Sequence, residues 1–502
     1  MTLADVPSTQ ASLDRLRETR RRIEEAVLPL ATSIDGRRFA FQASLHGLDV
    51  RPGGYVVLEP PGGEAVLGQV LDLRLASQDA AEIGVSGGDD ATAMRARLSI
   101  RHALGEGTLL EPGATFHDAM MRPATADEVR AWVERGRARL EVGELALVPG
   151  VPCRIDARGF DRHTFLCGQS GSGKTYSLGV LLERLLTETS LRVVILDPNS
   201  DFGRLAAVRD GTEAGVADRY RAATSGVRVF SARASGEQRL RLRLAELEPA
   251  AQAALLHLDP IDDREEYAEF VQLLGRGVPP SVDALDEVDR PDARRLAQRV
   301  RNLGTERHGI WAREDPGSVL EAVGDPDHRC VVVDLGSLPT RDEQALAGAA
   351  VLGELWRRRE ERRPVLIVID EAHNVCPAEP ADPLTALATE HAIRIAAEGR
   401  KFGLYLLVST QRPQKVPENV VSQCDNLVLM RLNSRADAAF AEDVFSFVPA
   451  GLIAQAPAFG LGGALVAGKL SPAPALVRFG ARVSEEGGSD VPSSWAASGP
   501  IV

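Results

Sequence analysis

One stretch of the sequence decides the fold: Phe165-Leu166-Cys167-Gly168-Gln169-Ser170-Gly171-Ser172-Gly173-Lys174-Thr175-Tyr176. It reads as an apolar strand, a glycine-rich loop and the start of a helix, and residues 168–175 satisfy the pattern G-x-x-x-x-G-K-[ST] at every position. Glycines let successive backbone N–H groups turn toward an anion, and the positive end of the helix dipole points at the same place. The stretch predicts a loop that cradles the phosphates of a nucleotide.

The end of this loop has the chemistry that ATP bound with Mg²⁺ requires. Lys174 can reach the β- and γ-phosphate oxygens, and Thr175 supplies a hydroxyl to Mg²⁺. A dinucleotide fingerprint fits less well, because its glycines follow a different order and Lys174 has no role in it. We therefore expect ATP and Mg²⁺ as ligands, with residues 168–176 binding the nucleotide.

A second motif follows an apolar strand far downstream. The run Val365–Ile369 ends in Asp370 and Glu371, and the carboxyl ends of parallel strands meet at the sheet edge where ligands bind. Asp370 is predicted to hold Mg²⁺, and Glu371 to orient or deprotonate the attacking water. Gln411 ends a later strand and is the candidate sensor of the γ-phosphate.

The rest of the chain divides into regions that differ in residue composition and hydrophobic pattern. Residues 1–30 contain an amphipathic helix at 12–30, which either docks on its own chain or contacts a neighbour. Residues 31–150 carry short β-type runs between Gly/Pro turns, typical of a small β-barrel, and then a connecting helix. From 151 to 482 strands alternate with helices, which predicts an α/β domain with a helical insertion at about 236–325. Residues 483–502 are rich in Ser, Gly and Pro and read as a C-terminal tail.

Composition restricts the class of protein further. The formal net charge of −13 argues against a protein that coats nucleic acid, so any DNA contact must be local. The five cysteines are scattered and form no CxxC pair, which argues against a disulfide framework or a zinc site. No apolar run approaches the roughly 18–20 residues that a membrane span needs, and there is no signal-peptide pattern. We expect a cytoplasmic protein without membrane insertion.

Several motifs together resemble the HerA branch of the HerA/FtsK ATPases. They are Arg162–Thr175, Leu196-Asp-Pro-Asn-Ser-Asp-Phe202, Ile369-Asp-Glu-Ala-His-Asn374, Glu398-Gly-Arg-Lys-Phe-Gly403 and Ser409-Thr-Gln-Arg-Pro413. The likeness covers about residues 34–488, including the barrel region and Ser484-Glu-Glu-Gly-Gly488. It implies a RecA-like ATPase core that forms a hexameric ring, threads duplex DNA through its centre and binds ATP between subunits.

The resemblance also implies roles for two arginines. Arg400, eleven positions before Gln411, matches the arginine finger that acts on the ATP of the neighbouring subunit. Arg162, twelve positions before Lys174, matches a second arginine at the subunit interface. By the same resemblance, the residues that act on the subunit's own ATP are Lys174, Thr175, Asp370, Glu371 and Gln411.

Family members commonly work with a nuclease in DNA-end processing or in defence against phage, so a nuclease or other effector is the implied partner. The sequence carries no clustered Asp/Glu-x-Lys pattern of a nuclease outside the ATPase core. Two alternatives stay open. One is a secretion or conjugation pump ATPase of related fold, and the other is a non-motor scaffold whose ATP state controls assembly with an effector.

Overall fold

The computed structural model describes residues 29–44, 49–79, 83–85, 94–96, 99–312 and 317–487, and helix at positions 14, 17, 18, 21 and 22. Most of the helix predicted at 12–30 therefore lies outside the described residues, as does the predicted tail beyond residue 487. The predicted end of that helix is wrong, because Leu30 is the first residue of a strand. None of the helices in the described part of the chain has both the length and the apolar character that crossing a bilayer requires.

A closed six-stranded barrel comes first, as the sequence predicts, in the order β1-β2-β7-β4-β3-β8. A separate two-stranded sheet pairs β5 with β6. The strands of this region are β1 (Leu30–Ser33), β2 (Arg38–Ser44), β3 (Tyr55–Glu59), β4 (Val66–Asp79), β5 (Ile83–Val85), β6 (Met94–Ala96), β7 (Ser99–Leu109) and β8 (Phe116–Pro123).

Two aromatic rings fill the barrel because the strand opposite them has glycines. Phe39 and Phe41 alternate with exposed residues along β2 and point inward. Their partners on β7 are Gly107 and Gly105. A Cβ on Gly105 would lie 2.1 Å from the ring of Phe41, and one on Gly107 would lie 2.2 Å from the ring of Phe39. Any side chain at either position would displace a ring from the core.

A capped helix, α1 (Ala126–Arg135), connects the barrel to the rest of the chain. It begins at Thr125, whose hydroxyl accepts a hydrogen bond from the Glu128 N–H while the Glu128 carboxylate accepts one from the Thr125 N–H. On its buried face, the ring of Trp132 lies 6.0 Å from the ring of Tyr55 in the barrel, centroid to centroid. The helix is therefore packed against the barrel as well as covalently joined to it.

An eleven-stranded sheet forms the second layer, in the order β10-β9-β19-β18-β17-β11-β16-β15-β12-β14-β13. The run from β17 to β13 is parallel, and the remaining strands add to the β17 edge antiparallel. The strands are β9 (Leu140–Leu145), β10 (Pro152–Ile155), β11 (His163–Cys167), β12 (Arg192–Asp197), β13 (Val227–Ser231), β14 (Cys330–Asp334), β15 (Val365–Ile369), β16 (Leu404–Thr410), β17 (Cys424–Met430), β18 (Gly463–Gly468) and β19 (Ala475–Phe479).

Helices cover the sheet, and those from α4 to α8 form the predicted insertion between β13 and β14. The helices after α1 are α2 (Lys174–Glu188), α3 (Ala214–Thr224), α4 (Pro249–Leu255), α5 (Arg264–Gly275), α6 (Val282–Asp286), α7 (Pro291–Leu303), α8 (Val319–Gly324), α9 (Arg341–Arg357), α10 (Ala372–Val375), α11 (Pro383–Glu398), α12 (Glu418–Val421), α13 (Arg435–Val444) and α14 (Ala450–Ile453).

Burial on both faces explains why the parallel strands were readable from the sequence. Every residue of β14 and β15 is buried, so neither strand has a polar face. β15 has the bounds that its apolar run predicts. The side chains of β15 alternate between two large clusters, with Ile367 in one and Val368 in the other. The α/β fold class with a preceding barrel and a helical insertion is thus confirmed.

Two stretches differ from the expected organisation. β9 lies before residue 150, in the region assigned to the barrel and its helix, yet it pairs with β10 and β19 in the large sheet. Residues 483–487, expected in a mobile tail, are packed: Ser484 is fully buried and donates its N–H to the carboxylate of Glu183 in α2 at 2.7 Å. The buried carboxylate needs such donors, and the sequence pattern of the tail gives no sign of it.

Candidate nucleotide site

The glycine loop turns sharply between β11 and α2. Gly171 and Gly173 have φ values of +73° and +90°, a region that L side chains rarely adopt. Gly168 is needed for a different reason, because a Cβ there would lie 2.6 Å from the Cβ of Met430 in β17. The glycines of the motif therefore meet both backbone and packing requirements of the loop.

Residues that follow β17 brace the loop from one side. Arg431 Nη2 donates to the carbonyl oxygen of Gly171 at 2.9 Å, and the Asn433 N–H donates to Gln169 Oε1 at 3.0 Å. Ser172 is fully buried beneath the loop. These contacts hold the loop in its turned form, which reduces the ordering cost of binding an anion.

Lys174 lies at the centre of a buried polar cluster. Its Nζ lies 3.0 Å from Asp370 Oδ1, 3.0 Å from Glu371 Oε1 and 3.1 Å from Ser409 Oγ. Ser409 Oγ in turn donates to Asp370 Oδ1 at 2.7 Å. Burial alone would lower the pKa of Lys174, but the charges of Asp370 and Glu371 raise it above the usual value. The ammonium group therefore stays charged and neutralises two buried carboxylates.

The strand order places Ser409 in this cluster. β16 lies between β11, which leads into the loop, and β15, which leads into Asp370. Its carboxyl end carries Ser409, Thr410 and then Gln411, next to both motifs. A polar strand end at this position contacts the phosphate loop on one side and the acidic pair on the other.

Glu371 has a backbone conformation that is uncommon for its type. Its φ of +41° and ψ of +50° are left-handed, and it is the residue before α10. Such a conformation costs on the order of 1–3 kcal/mol and persists where the surroundings enforce it. The side chain also approaches His373, whose Nδ1 lies 3.3 Å from Glu371 Oε2 and 3.0 Å from Thr410 Oγ1. Burial lowers the pKa of His373, so the imidazole is neutral at pH 7.

Asp370 has an oxygen that fits a cation. Its side chain is fully buried, and Oδ2 has no hydrogen-bond partner in the described part of the chain. A buried carboxylate oxygen without a donor is costly unless a ligand arrives with positive charge. Thr175 lines the cleft beside this cluster and offers a hydroxyl. Oxygen ligands of this kind are those that Mg²⁺ takes in nucleotide sites, so the residues present fit the ion.

Two further aspartates lie beside Asp370. Asp197 is the last residue of β12, and Asp201 follows it closely in the chain. One carboxylate oxygen from each of Asp197, Asp201 and Asp370 lies within 4.8 Å of the other two. Burial and, to a smaller extent, the charge of Asp370 raise the pKa of Asp197 to about 7 and that of Asp201 to about 6. Asp197 accepts hydrogen bonds from the N–H groups of Asp201 and Phe202, at 3.0 and 2.8 Å. At neutral pH Asp201 therefore adds negative charge beside Asp370, which the charge of Lys174 opposes.

A cleft of about 970 Å³ opens over this cluster. It brings together most of the predicted nucleotide residues with Glu371 and Gln411, while Gly168, Ser172 and Asp370 lie behind its surface. The residues predicted from the sequence that line it are Gln169, Ser170, Gly171, Gly173, Lys174, Thr175, Tyr176, Glu371 and Gln411.

The two predicted arginines lie elsewhere. Arg162 precedes β11 and Arg400 precedes β16, so both lie at the edge of the sheet opposite to the glycine loop. Both approach Asp425 Oδ2 in β17, with Arg162 Nε at 3.4 Å and Arg400 Nη1 at 3.1 Å. Strands of five and seven residues separate this edge from the cleft, or roughly 16–23 Å. Neither arginine reaches the cleft of its own chain.

Comparison with known proteins shows a similarity to one family of helicases. The family described as "Helicase HerA, central domain" matches residues 140–278, which include the glycine loop, α2 and β12. The central part of the chain is thus similar to HerA helicases. The "DNA double-strand break repair helicase HerA" of Pyrococcus furiosus is similar to this chain at 23% identity over 400 residues, 68% of this chain and 70% of that protein.

Other similarities are shorter or more distant. The protein of the same name from Sulfurisphaera tokodaii is 29% identical over 167 residues, and the match spans only 33% of its length and 32% of this chain. Among solved structures, the "Bacterial conjugative coupling protein TrwBdeltaN70" aligns with a TM-score of 0.47 at 15% identity, over 72% of this chain and 92% of that one. VirB4 of Thermoanaerobacter pseudethanolicus aligns with a TM-score of 0.46 at 16% identity, over 69% and 98%.

Sequence reasoning missed several residues that the fold brings to these sites. Ser409 and Asp197 were visible only as parts of quoted motifs, without a role of their own. Asp425 carried no signal, because a single aspartate in an apolar strand has many explanations. Leu461 also lines the cleft, and it lies between helical and strand patterns where no motif marks it.

Proposed function

We propose that this chain binds and hydrolyses ATP·Mg²⁺, and that six copies form a ring that moves duplex DNA through its centre. The proposed ATPase activity rests on the cluster of Asp370, Glu371 and Ser409 around Lys174. This cluster lies next to the glycine loop, at the cleft. Phosphoryl transfer needs positioning and charge stabilisation more than covalent chemistry, and this cluster supplies groups for both.

In this proposal, the phosphates compete with the acidic pair for Lys174. The ammonium group pairs with both Asp370 and Glu371. When Lys174 turns to the β- and γ-phosphates, Glu371 loses its counter-ion and becomes free to accept a proton from the attacking water. Thr175 and Asp370 would hold Mg²⁺, which would supply positive charge to the phosphate oxygens. Gln411, at the end of β16, contacts the γ-phosphate and reports its presence.

Arg162 and Arg400 supply the groups that act between copies. Since both lie at the sheet edge away from their own cleft, they serve the cleft of a neighbouring copy or none. A planar guanidinium neutralises two phosphate oxygens at once, and such fingers increase the rate by about 10³–10⁵. ATP between copies of a ring, with Arg400 as the finger and Arg162 beside it, fits this placement.

Duplex DNA is the proposed cargo because the similar proteins are described as DNA double-strand break repair helicases. The net charge of −13 means that the DNA contacts are confined to a lining rather than spread over the surface. We further propose a nuclease or another effector as partner, in DNA-end processing or in defence against phage.

The test is ATP turnover measured with and without blunt duplex DNA on an oligomer isolated by size. Stimulation by duplex, with turnover concentrated in the oligomeric fraction, is expected. Turnover that ignores DNA in an intact ring would instead support the scaffold whose ATP state controls an effector. Turnover that responds to single-stranded DNA or to a membrane fraction would support a conjugation or secretion pump. No turnover in any fraction would overturn the ATPase proposal itself.

A further inference from the structure

Arg400 pairs with a carboxylate on a strand that is not its neighbour. It lies in the short 3-10 turn Gly399–Phe402 before β16, whereas Asp425 lies near the amino end of β17. β11 lies between these two strands, so their backbones are roughly 10 Å apart. The Arg400 side chain therefore extends across the end of β11 and donates from Nη1 to Asp425 Oδ2 at 3.1 Å. This places its guanidinium close to Arg162, which directly precedes β11.

The two arginines differ in the number of carboxylates that hold them. Arg162 Nη1 lies 2.9 Å from Asp161 Oδ1, and Arg162 Nε lies 3.4 Å from Asp425 Oδ2. For Arg400, Asp425 is the only carboxylate at ion-pair distance among the residues that the structure describes. Without the charge of Asp425, Arg162 would keep a counter-ion, and Arg400 would have none beside a like charge. Arg400 is therefore the arginine whose orientation depends on Asp425.

The backbone of Asp425 is fixed relative to the turn that presents Arg162. A Cβ on Gly468 of β18 would lie 2.1 Å from the carbonyl oxygen of Asp425, so the two strands approach closely there. The next residue, Asn426, is fully buried, and its Nδ2 donates to the carbonyl oxygen of Gly159 at 2.9 Å. Gly159 belongs to the 3-10 turn that ends just before Arg162. The carboxylate of Asp425 thus starts from a rigid point beside both arginines.

The contact with Asp425 leaves most of the Arg400 guanidinium available to a ligand. Nη1 makes the bond to Asp425, and the described residues provide no other hydrogen bond to this side chain. The side chain is also partly exposed. A guanidinium carries its N–H donors in one rigid plane, so fixing one of them orients the others. Asp425 therefore orients Arg400 without blocking it.

The geometry points to Asp425 as the positioning residue of Arg400. This inference rests on the proposed role of Arg400 as a finger at the ATP of a neighbouring copy. Asp425 does not touch that ATP. Its charge lets Arg162 and Arg400 lie side by side, and it holds the plane of Arg400 in place before the neighbour's phosphate arrives. A finger that is oriented in advance needs no reorganisation when charge develops on the γ-phosphate.

Asp425→Asn tests this role, because the amide keeps the size of the side chain and removes its charge. Steady-state ATP turnover of the assembled variant is expected to fall about ten- to a hundredfold, less than in Arg400→Ala. ATP affinity, measured by equilibrium binding, should stay within about twofold of wild type, since the cleft of each copy is intact. Asp218→Asn is the matched control and should leave both quantities unchanged, because Asp218 is an exposed aspartate of α3 that pairs with Arg221.

Mixed assemblies distinguish a positioning role from a structural one. Asp425→Asn copies and wild-type copies are each mixed with an excess of Lys174→Ala copies, which have a defective cleft but an intact Arg400 and Asp425. Most working clefts then face an intact finger. Once native mass measurement has shown subunit exchange, turnover per Asp425→Asn copy should come within about twofold of turnover per wild-type copy. A deficit as large as in the pure assemblies would place the fault in the variant's own cleft and overturn the positioning role.

A double variant gives a second, independent measurement. Because Asp425 acts through Arg400, Asp425→Asn should lower turnover no further in an Arg400→Ala background. A further loss of about tenfold in the double variant, or wild-type turnover in Asp425→Asn alone, would refute the inference. Wild-type turnover in Arg400→Ala would refute the proposed finger instead, so failure of the inference and failure of the proposed function are distinguishable.

Discussion

Arg162 and Arg400 meet at a single carboxylate oxygen, Asp425 Oδ2, to which Arg162 Nε lies at 3.4 Å and Arg400 Nη1 at 3.1 Å. The side chains are 31% and 41% exposed, so both guanidiniums keep donors for a partner. Arg162 is also paired with Asp161, with Nη1 at 2.9 Å from Oδ1. Asp425 is thus the aspartate that the two positive groups share at the sheet edge away from the cleft. A pair of guanidiniums in this arrangement suits the charge of a phosphate supplied by another molecule.

Mixing two inactive variants tests whether Arg400 acts across copies. Arg400→Ala and Lys174→Ala should each lose nearly all turnover as pure assemblies, the former by about 10³-fold or more. In mixed assemblies, an intact cleft on the Arg400→Ala copy faces an intact Arg400 on its Lys174→Ala neighbour. We expect partial recovery of ATP turnover in the mixture.

The mixing experiment needs proof of subunit exchange, for which native mass measurement is suited. With exchange demonstrated, a mixture that remains inactive would assign Arg400 to its own chain or to no catalytic role. The same experiment with Arg162→Ala judges the second arginine. Arg294→Ala is a matched control, since Arg294 is an exposed arginine of α7 in the helical insertion, outside the cleft lining, and should leave turnover near wild type.

Glu371→Gln should separate binding from hydrolysis. The amide keeps the size of the side chain but cannot accept the proton of the attacking water, so turnover is expected to fall by about 10²–10⁴-fold. ATP affinity should be preserved or increased, because Lys174 loses one carboxylate that competes with the phosphates. Single-turnover hydrolysis and equilibrium binding measure the two effects. Turnover within a few-fold of wild type would remove Glu371 from the catalytic role.

Ser409→Ala should weaken the use of Mg²⁺. The hydroxyl donates to Asp370 Oδ1 at 2.7 Å and contacts Lys174, so it orients the carboxylate that is proposed to hold the ion. Loss of such a supporting group typically costs about 10–100-fold in metal affinity. The Mg²⁺ concentration at half-maximal turnover should rise accordingly, whereas the exposed Ser422→Ala variant should not change it. An unchanged Mg²⁺ dependence in Ser409→Ala would show that Asp370 is oriented without it.

His163 should make the protein sensitive to mild acid. Burial, and then the charge of Arg400, lower its pKa to about 4 from a usual value of 6.5, and its Nδ1 accepts a hydrogen bond from the Leu406 N–H at 2.9 Å. Between these values the unfolded chain takes up a proton that the folded chain does not. The free energy of unfolding therefore falls as the pH falls from about 6.5 to about 4, by about 2 kcal/mol at pH 5 from this residue.

Chemical denaturation at pH 7.5 and pH 5 measures this contribution. In His163→Gln, where an amide oxygen keeps the acceptor without titrating, the loss of stability between the two pH values should be smaller by that amount. His117 is an exposed histidine, and His117→Gln is the matched control that should behave as wild type. Equal losses in His163→Gln and wild type would place the acid sensitivity elsewhere.

Binding of duplex DNA should depend strongly on salt and weakly on sequence. Contacts to phosphates release counterions, so the logarithm of the affinity should fall linearly with that of the salt concentration. Contacts to the backbone carry no base information, so duplexes of different sequence should bind within a few-fold of one another. Titration of a labelled duplex into the assembled ring, with a non-hydrolysable ATP analogue, measures both. No binding at low salt would contradict the translocase proposal.

The sequence was sufficient where structure is local and not where it depends on strand order. The bounds of β15 follow from its apolar run, and the glycine loop follows from its motif. Ser409 joins Lys174 and Asp370 only because β16 is inserted between β11 and β15, a choice of topology that no local pattern encodes. The antiparallel edge from β18 to β10 was also not predicted, since its short strands lack a long apolar run.

The contacts of Glu183 could not be predicted from the sequence either, because its partners lie far away along the chain. In the sequence, Glu183 is one polar residue in the helix after the glycine loop. It becomes a buried anchor only because a segment some 300 residues downstream returns to α2 and supplies donors. Such pairs are invisible to periodicity, because the polar residue looks like part of a solvated face until its partner is known.

β16 has a role that follows from its two ends. Gln411, at its carboxyl end, lines the cleft of its own chain, and Arg400 lies just before its amino end, where it faces outward. Hydrogen bonds to β11 on one side and β15 on the other prevent the seven-residue strand from stretching. In the proposed ring, β16, a rigid strand roughly 20 Å long, would therefore connect two successive ATP sites. A displacement at the γ-phosphate of one site would therefore move Arg400 at the next site. The order in which the copies hydrolyse ATP would then be transmitted from copy to copy through the sheet.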